Sequence, residues 1–185
     1  MEPYSVSVSG SVSVTNTGTK IVVGAPGFKF NSGDTPEGAV LVTIRSGTTW
    51  SAFYRLADGP VDSETGFRVV ISDDGNTIVY SSPNYSSGEG RVRIVTFNGN
   101  IWSNARTYTG SAGQNLGVSI GFAQSTADYI IASAVGSEVA YVYAKVSGTW
   151  GASNTIVLSS GTSNSPRPSL SSLSKRATSC GLSIP

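Results

Sequence analysis

Ser46-Gly47-Thr48-Thr49-Trp50-Ser51, Asn98-Gly99-Asn100-Ile101-Trp102-Ser103 and Ser147-Gly148-Thr149-Trp150-Gly151 decide the fold. Their tryptophans stand 52 and 48 residues apart, so the chain repeats at a period near fifty. Ser-Gly and Asn-Gly between β-rich runs mark tight reversals, because glycine accepts the positive φ that a two-residue hairpin turn demands. A fixed period of this size signals a repeat architecture.

A second mark precedes each tryptophan turn: Ile21-Val22-Val23-Gly24-Ala25-Pro26, then Ile78-Val79-Tyr80-Ser81-Ser82-Pro83, then Ile130-Ile131-Ala132-Ser133-Ala134-Val135. Each run follows a turn, at Asn16-Thr17-Gly18, Asp73-Asp74-Gly75-Asn76 and Ser125-Thr126-Ala127-Asp128. Alternating stretches such as Gly66-Phe67-Arg68-Val69-Val70-Ile71 come before those turns. Third strands follow at Ala39-Val40-Leu41-Val42-Thr43-Ile44, Arg91-Val92-Arg93-Ile94-Val95 and Val139-Ala140-Tyr141-Val142-Tyr143, and a fourth begins at each tryptophan. Each unit is therefore predicted as a four-stranded antiparallel meander, the plan of a propeller blade. The expected fold is all-β: a propeller-like array of about three blades (residues 10–57, 66–108 and 117–158) within a repeat domain 1–158. A Ser-rich extended tail follows at 159–185.

Residues 10–51 resemble the FG-GAP repeats of integrin-α-like β-propellers. They combine an alternating strand, Asn16-Thr17-Gly18-Thr19-Lys20, Ile21 to Gly27, Gly38-Ala39-Val40-Leu41-Val42 and the Trp50 turn. Residues 66–103 keep the strand pattern with Ser81-Ser82-Pro83 in place of Gly-Ala-Pro, and residues 117–151 keep the strand spacing and the tryptophan turn. The resemblance implies propeller blades. Many such blades hold calcium in a D-x-D-x-D-G loop, whereas Asp73-Asp74-Gly75-Asn76 offers too few alternating oxygens to enclose a hard cation. No cofactor or metal is expected. Propellers close with four to eight blades, and three are legible. Tyr4-Ser5-Val6-Ser7-Val8 and Asn154-Thr155-Ile156-Val157-Leu158 are candidates for part of a fourth; otherwise other chains complete the ring, or the sheets stack openly.

Composition narrows the function. Charged residues are 12% of the chain and the net charge is +1, which gives no electrostatic footprint for nucleic acid. Low charge also supplies little self-repulsion, which favours a surface covered in part by a partner. The chain has no histidine, so Ser-His-Asp and Cys-His nucleophile systems are excluded. A single cysteine, Cys180, permits neither an intrachain disulfide nor a zinc cluster. Neither a phosphate-cradling loop nor a dinucleotide fingerprint occurs. Asp58 with Asp62, or Asp73 with Asp74, is the residual candidate for a glycosidase-like acid and base. All four lie among Gly, Pro or Asn, where aspartate ordinarily bonds nearby backbone N–H groups. No catalytic residue is assigned.

Trp50, Trp102 and Trp150 occupy equivalent places, so packing between blades is the expected role and sugar stacking the alternative. Asn84-Tyr85-Ser86 matches a glycosylation sequon, read as chance because Met1 to Ser5 shows no secretory signal. No apolar run is long enough for a transmembrane helix, and no membrane insertion is expected. Ten of the 27 tail positions are serine, with Pro166 and Pro168 interrupting any ladder. The tail is expected to lie as a strap along a neighbouring subunit. The functional expectation is a non-catalytic structural or protein-interaction component of a larger homo- or hetero-oligomeric assembly, such as a minor capsid or virion protein. The alternative is a carbohydrate-binding, lectin-like propeller completed by oligomerisation.

Overall fold

Hairpin chemistry at the three tryptophan turns sets the strand pairing. In the computed structural model, which describes residues 10–31 and 33–157, Ser147 and Gly148 both take positive φ (50° and 80°), as a type I′ turn requires. Gly47 (φ 60°) opens the first turn. In the second, the Asn98 side-chain oxygen accepts from the N–H groups of Asn100 and Ile101, each at 3.0 Å.

Around these turns the chain forms three antiparallel sheets. Blade 1 contains β1 (Val12–Val14), β2 (Lys20–Ala25), β3 (Ala39–Ser46), β4 (Thr49–Trp50) and β5 (Tyr54–Asp58). Blade 2 contains β6 (Val69–Ile71), β7 (Thr77–Ser82), β8 (Arg91–Phe97) and β9 (Trp102–Thr109). Blade 3 contains β10 (Leu116–Phe122), β11 (Tyr129–Ala134), β12 (Val139–Val146) and β13 (Thr149–Val157). In blade 1, β4 and β5 both pair with β3 and together stand for one broken fourth strand. The break follows from Ser51. Its side-chain oxygen accepts from Ile44 N–H at 3.1 Å, and its carbonyl accepts from Thr43 Oγ1 at 2.8 Å, which bends the strand before Tyr54.

The all-β, propeller-like plan is thus the architecture of the described residues. One expectation is corrected. Asn154 to Val157 contribute nothing to a fourth blade; they are the end of β13, paired with Val139 to Val142. Tyr4 to Val8, Leu158, the tail 159–185 and Cys180 lie outside the described residues.

Because directly paired residues share a face, register divides each blade into two apolar surfaces. Val22, Val40 and Val42 of blade 1 meet Val69, Ile71, Ile78, Tyr80 and Val95 of blade 2 in one buried cluster. Val79, Val92, Ile94 and Tyr108, from the other face of blade 2, meet Ile120, Phe122, Ile130, Ala132, Tyr143 and Trp150 of blade 3 in a second. Each core lies between neighbouring sheets. Burying a Val or Ile side chain contributes roughly 1.5–3 kcal/mol, so stacking, not the isolated meander, stabilises the array.

Candidate functional site

Register predicts which blade surface lacks a partner. On blade 1, Val12 pairs with Val23 and Val23 with Leu41, while Val14 pairs with Ile21 and Ile21 with Thr43. This set faces away from blade 2, and Trp50 joins it by pairing with Arg45. The corresponding positions of the other blades are Val69, Ile71 and Trp102, and Ile120, Phe122 and Trp150. Blade 1 leaves Val12 63%, Val14 49% and Trp50 44% exposed, whereas Val69, Ile71, Ile120, Phe122 and Trp150 (5%) are all buried. Val23 and Thr43, on the same face, are buried.

The three tryptophans therefore have three environments. Trp102 packs against the first cluster, and its indole N–H donates to Tyr54 Oη of blade 1 at 2.8 Å. Trp150 is buried against blade 2, and its indole N–H has no partner. Each packs towards the blade before it, as expected. Trp50 has no such neighbour among the described residues, and Arg45 lies over its ring at 5.9 Å; the expectation of uniform packing between blades is corrected here.

Lys20 shows how a junction handles charge. Its ammonium donates to Gly75 O at 2.8 Å and lies over the Phe97 ring at 4.9 Å. Desolvation lowers its pKa, and nearby Asp74 partly opposes that shift. For Asp74, partial burial raises the pKa, but hydrogen bonds from Ser72 and Asn76 and the charge of Lys20 together bring it below the ordinary carboxylate value.

The carboxylates weighed as acid and base are placed as turn and strand-end residues. Asp74 accepts from Ser72 Oγ and from Asn76 N–H at 2.9 Å, while Asp73 N–H donates to Gln124 O at 2.9 Å. Asp58 ends β5 and pairs with Arg55 at 3.4 Å. Asp62 sits in a connecting loop with φ 59°. Among the described residues, no group of three or more Cys, Asp or Glu side chains could hold a metal ion. No helix among them is long and apolar enough to cross a membrane.

One feature escaped the sequence reading altogether. The loop between β7 and β8 and the connectors on either side of blade 2 enclose an open groove of about 730 Å³ lined by Asp62, Asn84, Tyr85, Ser86, Ser87 and Asn115. Asp62 and Asn84 also line an adjoining hollow with Glu64 and Phe67. Asp62, Glu64, Ser86, Ser87 and Asn115 all have left-handed backbone (φ 50–59°). Such conformations cost roughly 1–2 kcal/mol per residue, and their clustering concentrates strain at this groove. Arg91 lies beneath, its guanidinium 3.9 Å from the Tyr85 ring centre. Burial lowers the Arg91 pKa, with a further contribution from Arg93, and its Nε has no partner. The Asn84 sequon position is exposed on the groove wall.

No protein-family model and no curated protein matches the chain. Among solved structures it is similar to TolB from Acinetobacter baumannii, at 14% identity and a TM-score of 0.32. The match covers 80% of this chain and 43% of TolB, so the chain spans less than half of that protein. A likeness this remote carries no functional information.

Proposed function

We propose that this protein is a non-catalytic structural and protein-interaction component of a larger assembly, docked through the outward face of blade 1. The exposure of Val12 and Val14, at positions the other blades bury, and of Trp50, whose counterparts pack against the preceding blade, carries the reading. Engagement of Asp58 and Asp74 in local ion pairing and turn bonding supports a non-catalytic role. The FG-GAP kinship of residues 10–51, the tail acting as a strap, and a protein shell such as a virion as the setting belong to the same proposal; they rest on sequence.

Sizing the tagged chain from its native source under non-denaturing conditions tests the reading. The expected result is a complex well above 19.0 kDa that Val14→Asp reduces to a free, folded chain. A wild-type protein that runs as a free 19.0 kDa chain in that extract overturns the reading.

The loop groove favours a second reading, glycan binding. Tyr85 offers an aromatic face, and Asn84, Ser86, Ser87 and Asn115 offer amides and hydroxyls of the kind that grip sugar hydroxyls. Trp102 and Trp150 pack at the blade junctions and Trp50 lies on the outward face of blade 1, so the aromatic platform of this groove is Tyr85. A glycan array in which hits vanish with Tyr85→Ala supports this reading; an array without hits removes it.

A further inference from the structure

Two hollows meet on the loop surface of blade 2. The groove of Tyr85 and the adjoining hollow of about 500 Å³ share Asp62 and Asn84 as a common ridge. Each side of the ridge carries one aromatic ring, Tyr85 in the groove and Phe67 in the hollow. Both rings are half-buried, and each has a guanidinium against it: Arg91 at 3.9 Å from the Tyr85 centroid and Arg68 at 4.9 Å from that of Phe67. A cation held against a ring steadies it. Neither arginine lines a hollow, so what each ring presents there is its remaining apolar surface.

The ridge is pinned through its backbone and left free in its side chains. Asp62 N–H donates to Pro36 O at 2.7 Å, and Asn84 O accepts from Gly88 N–H at 3.4 Å. Across the groove, Asn115 N–H donates to Gly88 O at 2.8 Å and holds the opposite wall. Among the described residues, neither the Asp62 carboxylate nor the Asn84 amide bonds to another protein group. Free polar groups at fixed positions, flanked by aromatic surface, are what orients a ligand rich in hydroxyls.

Charge narrows the class of ligand. Asp62 lines both spaces and Glu64 the second, while no Lys or Arg side chain among the described residues lines either. A carboxylate or sulfate on the ligand would meet like charge with no cation to receive it. A sugar hydroxyl, in contrast, donates to Asp62 and both donates to and accepts from Asn84.

Resting on the glycan reading above, we infer that the two hollows form one cleft for a neutral oligosaccharide. One sugar lies on Tyr85, the next on Phe67, and hydroxyls of both are held by Asp62 and Asn84 between them.

Glycan-array screening of the purified full-length chain, followed by titration of the hits, tests this. The hits are expected to be oligosaccharides without carboxylate or sulfate groups. The dissociation constant is expected to fall at least about tenfold from the one-sugar to the two-sugar fragment of a hit. Phe67→Ala should abolish that gain and leave one-sugar binding unchanged. Asp62→Asn, which the left-handed backbone at φ 59° tolerates, should narrow the advantage of the neutral ligand over its uronic-acid or sulfated analogue about tenfold. Equal affinity for the two fragments, with Tyr85→Ala abolishing both, overturns the inference and leaves glycan binding standing. Preference for acidic glycans, lost in Tyr85→Ala, does the same. An array without hits, or hits that survive Tyr85→Ala, removes the glycan reading and this inference with it. If Tyr85→Ala does not fold, because Arg91 loses its ring, Asn84→Trp on the exposed ridge fills the groove and takes its place.

Discussion

The junction between blades 1 and 2 and the junction between blades 2 and 3 share a topology but are closed by different chemistry. The first buries eight apolar residues and leans on polar ties. Ser11 Oγ accepts from Val69 N–H at 2.6 Å, Ser13 Oγ accepts from Ile71 N–H at 3.2 Å, Lys20 caps Gly75 O, and Trp102 donates to Tyr54. The second buries twelve, four of them aromatic. Tyr108 and Tyr143 stack with centroids 3.8 Å apart, and Tyr108 Oη donates to Gly151 O at 2.6 Å. Hydrogen bonds contribute a net of only about 0.5–1.5 kcal/mol each, and partial desolvation of Lys20 is a cost the second junction avoids. The same backbone plan therefore closes two junctions by different means, polar ties at the first and aromatic packing at the second, where the Trp150 indole N–H stays unpaired.

The largest break in that comparison is Gly90→Val. A β-branched side chain at φ 77°, set against the Leu116 backbone, is expected to cost more than about 4 kcal/mol and to leave little soluble protein on expression. Trp150→Ala should follow, with a loss of about 3–5 kcal/mol in urea unfolding. Alkaline pH sharpens the contrast more gently. Burial first, then the neighbouring Tyr108 and Tyr141, push the Tyr143 phenol well above its usual range, so the folded state holds that proton more tightly than the unfolded one. Its contribution is complete below the unfolded value of about 10 and fades as pH climbs beyond it. Unfolding midpoints should therefore fall between pH 8 and pH 11, and less steeply in Tyr143→Phe. The smallest effect belongs to Trp50→Ala, expected to change stability by less than about 0.5 kcal/mol. A Trp50→Ala loss comparable to that of Trp150→Ala would mean that the two ends are equivalent after all.

The repeat was legible because its signals are local. Alternation places Val22, Val40 and Val42 on one face, and the Gly47, Gly99 and Gly148 turns set where each fourth strand starts. The fate of each tryptophan was not legible. Trp50 and Trp150 stand in near-identical sequence, and their exposure depends on whether another sheet precedes them in space. The break at Ser51 arises from side-chain oxygens competing with the ladder, which any serine can do and few do. The loop groove left no mark either. Glu64, Ser86 and Ser87 take the left-handed region without being of a type that favours it, whereas Asp62 and Asn115 are of types that tolerate it.

Placing each core between sheets has a consequence for synthesis. When β1 to β5 leave the ribosome, Val22, Val40 and Val42 have nothing to pack against until Val69, Ile71, Ile78, Tyr80 and Val95 follow. A nascent chain halted before Val95 carries two bare apolar surfaces and no finished core, the state most exposed to chaperones and to aggregation. The first native packing between sheets is thus complete only once Val95 has been made.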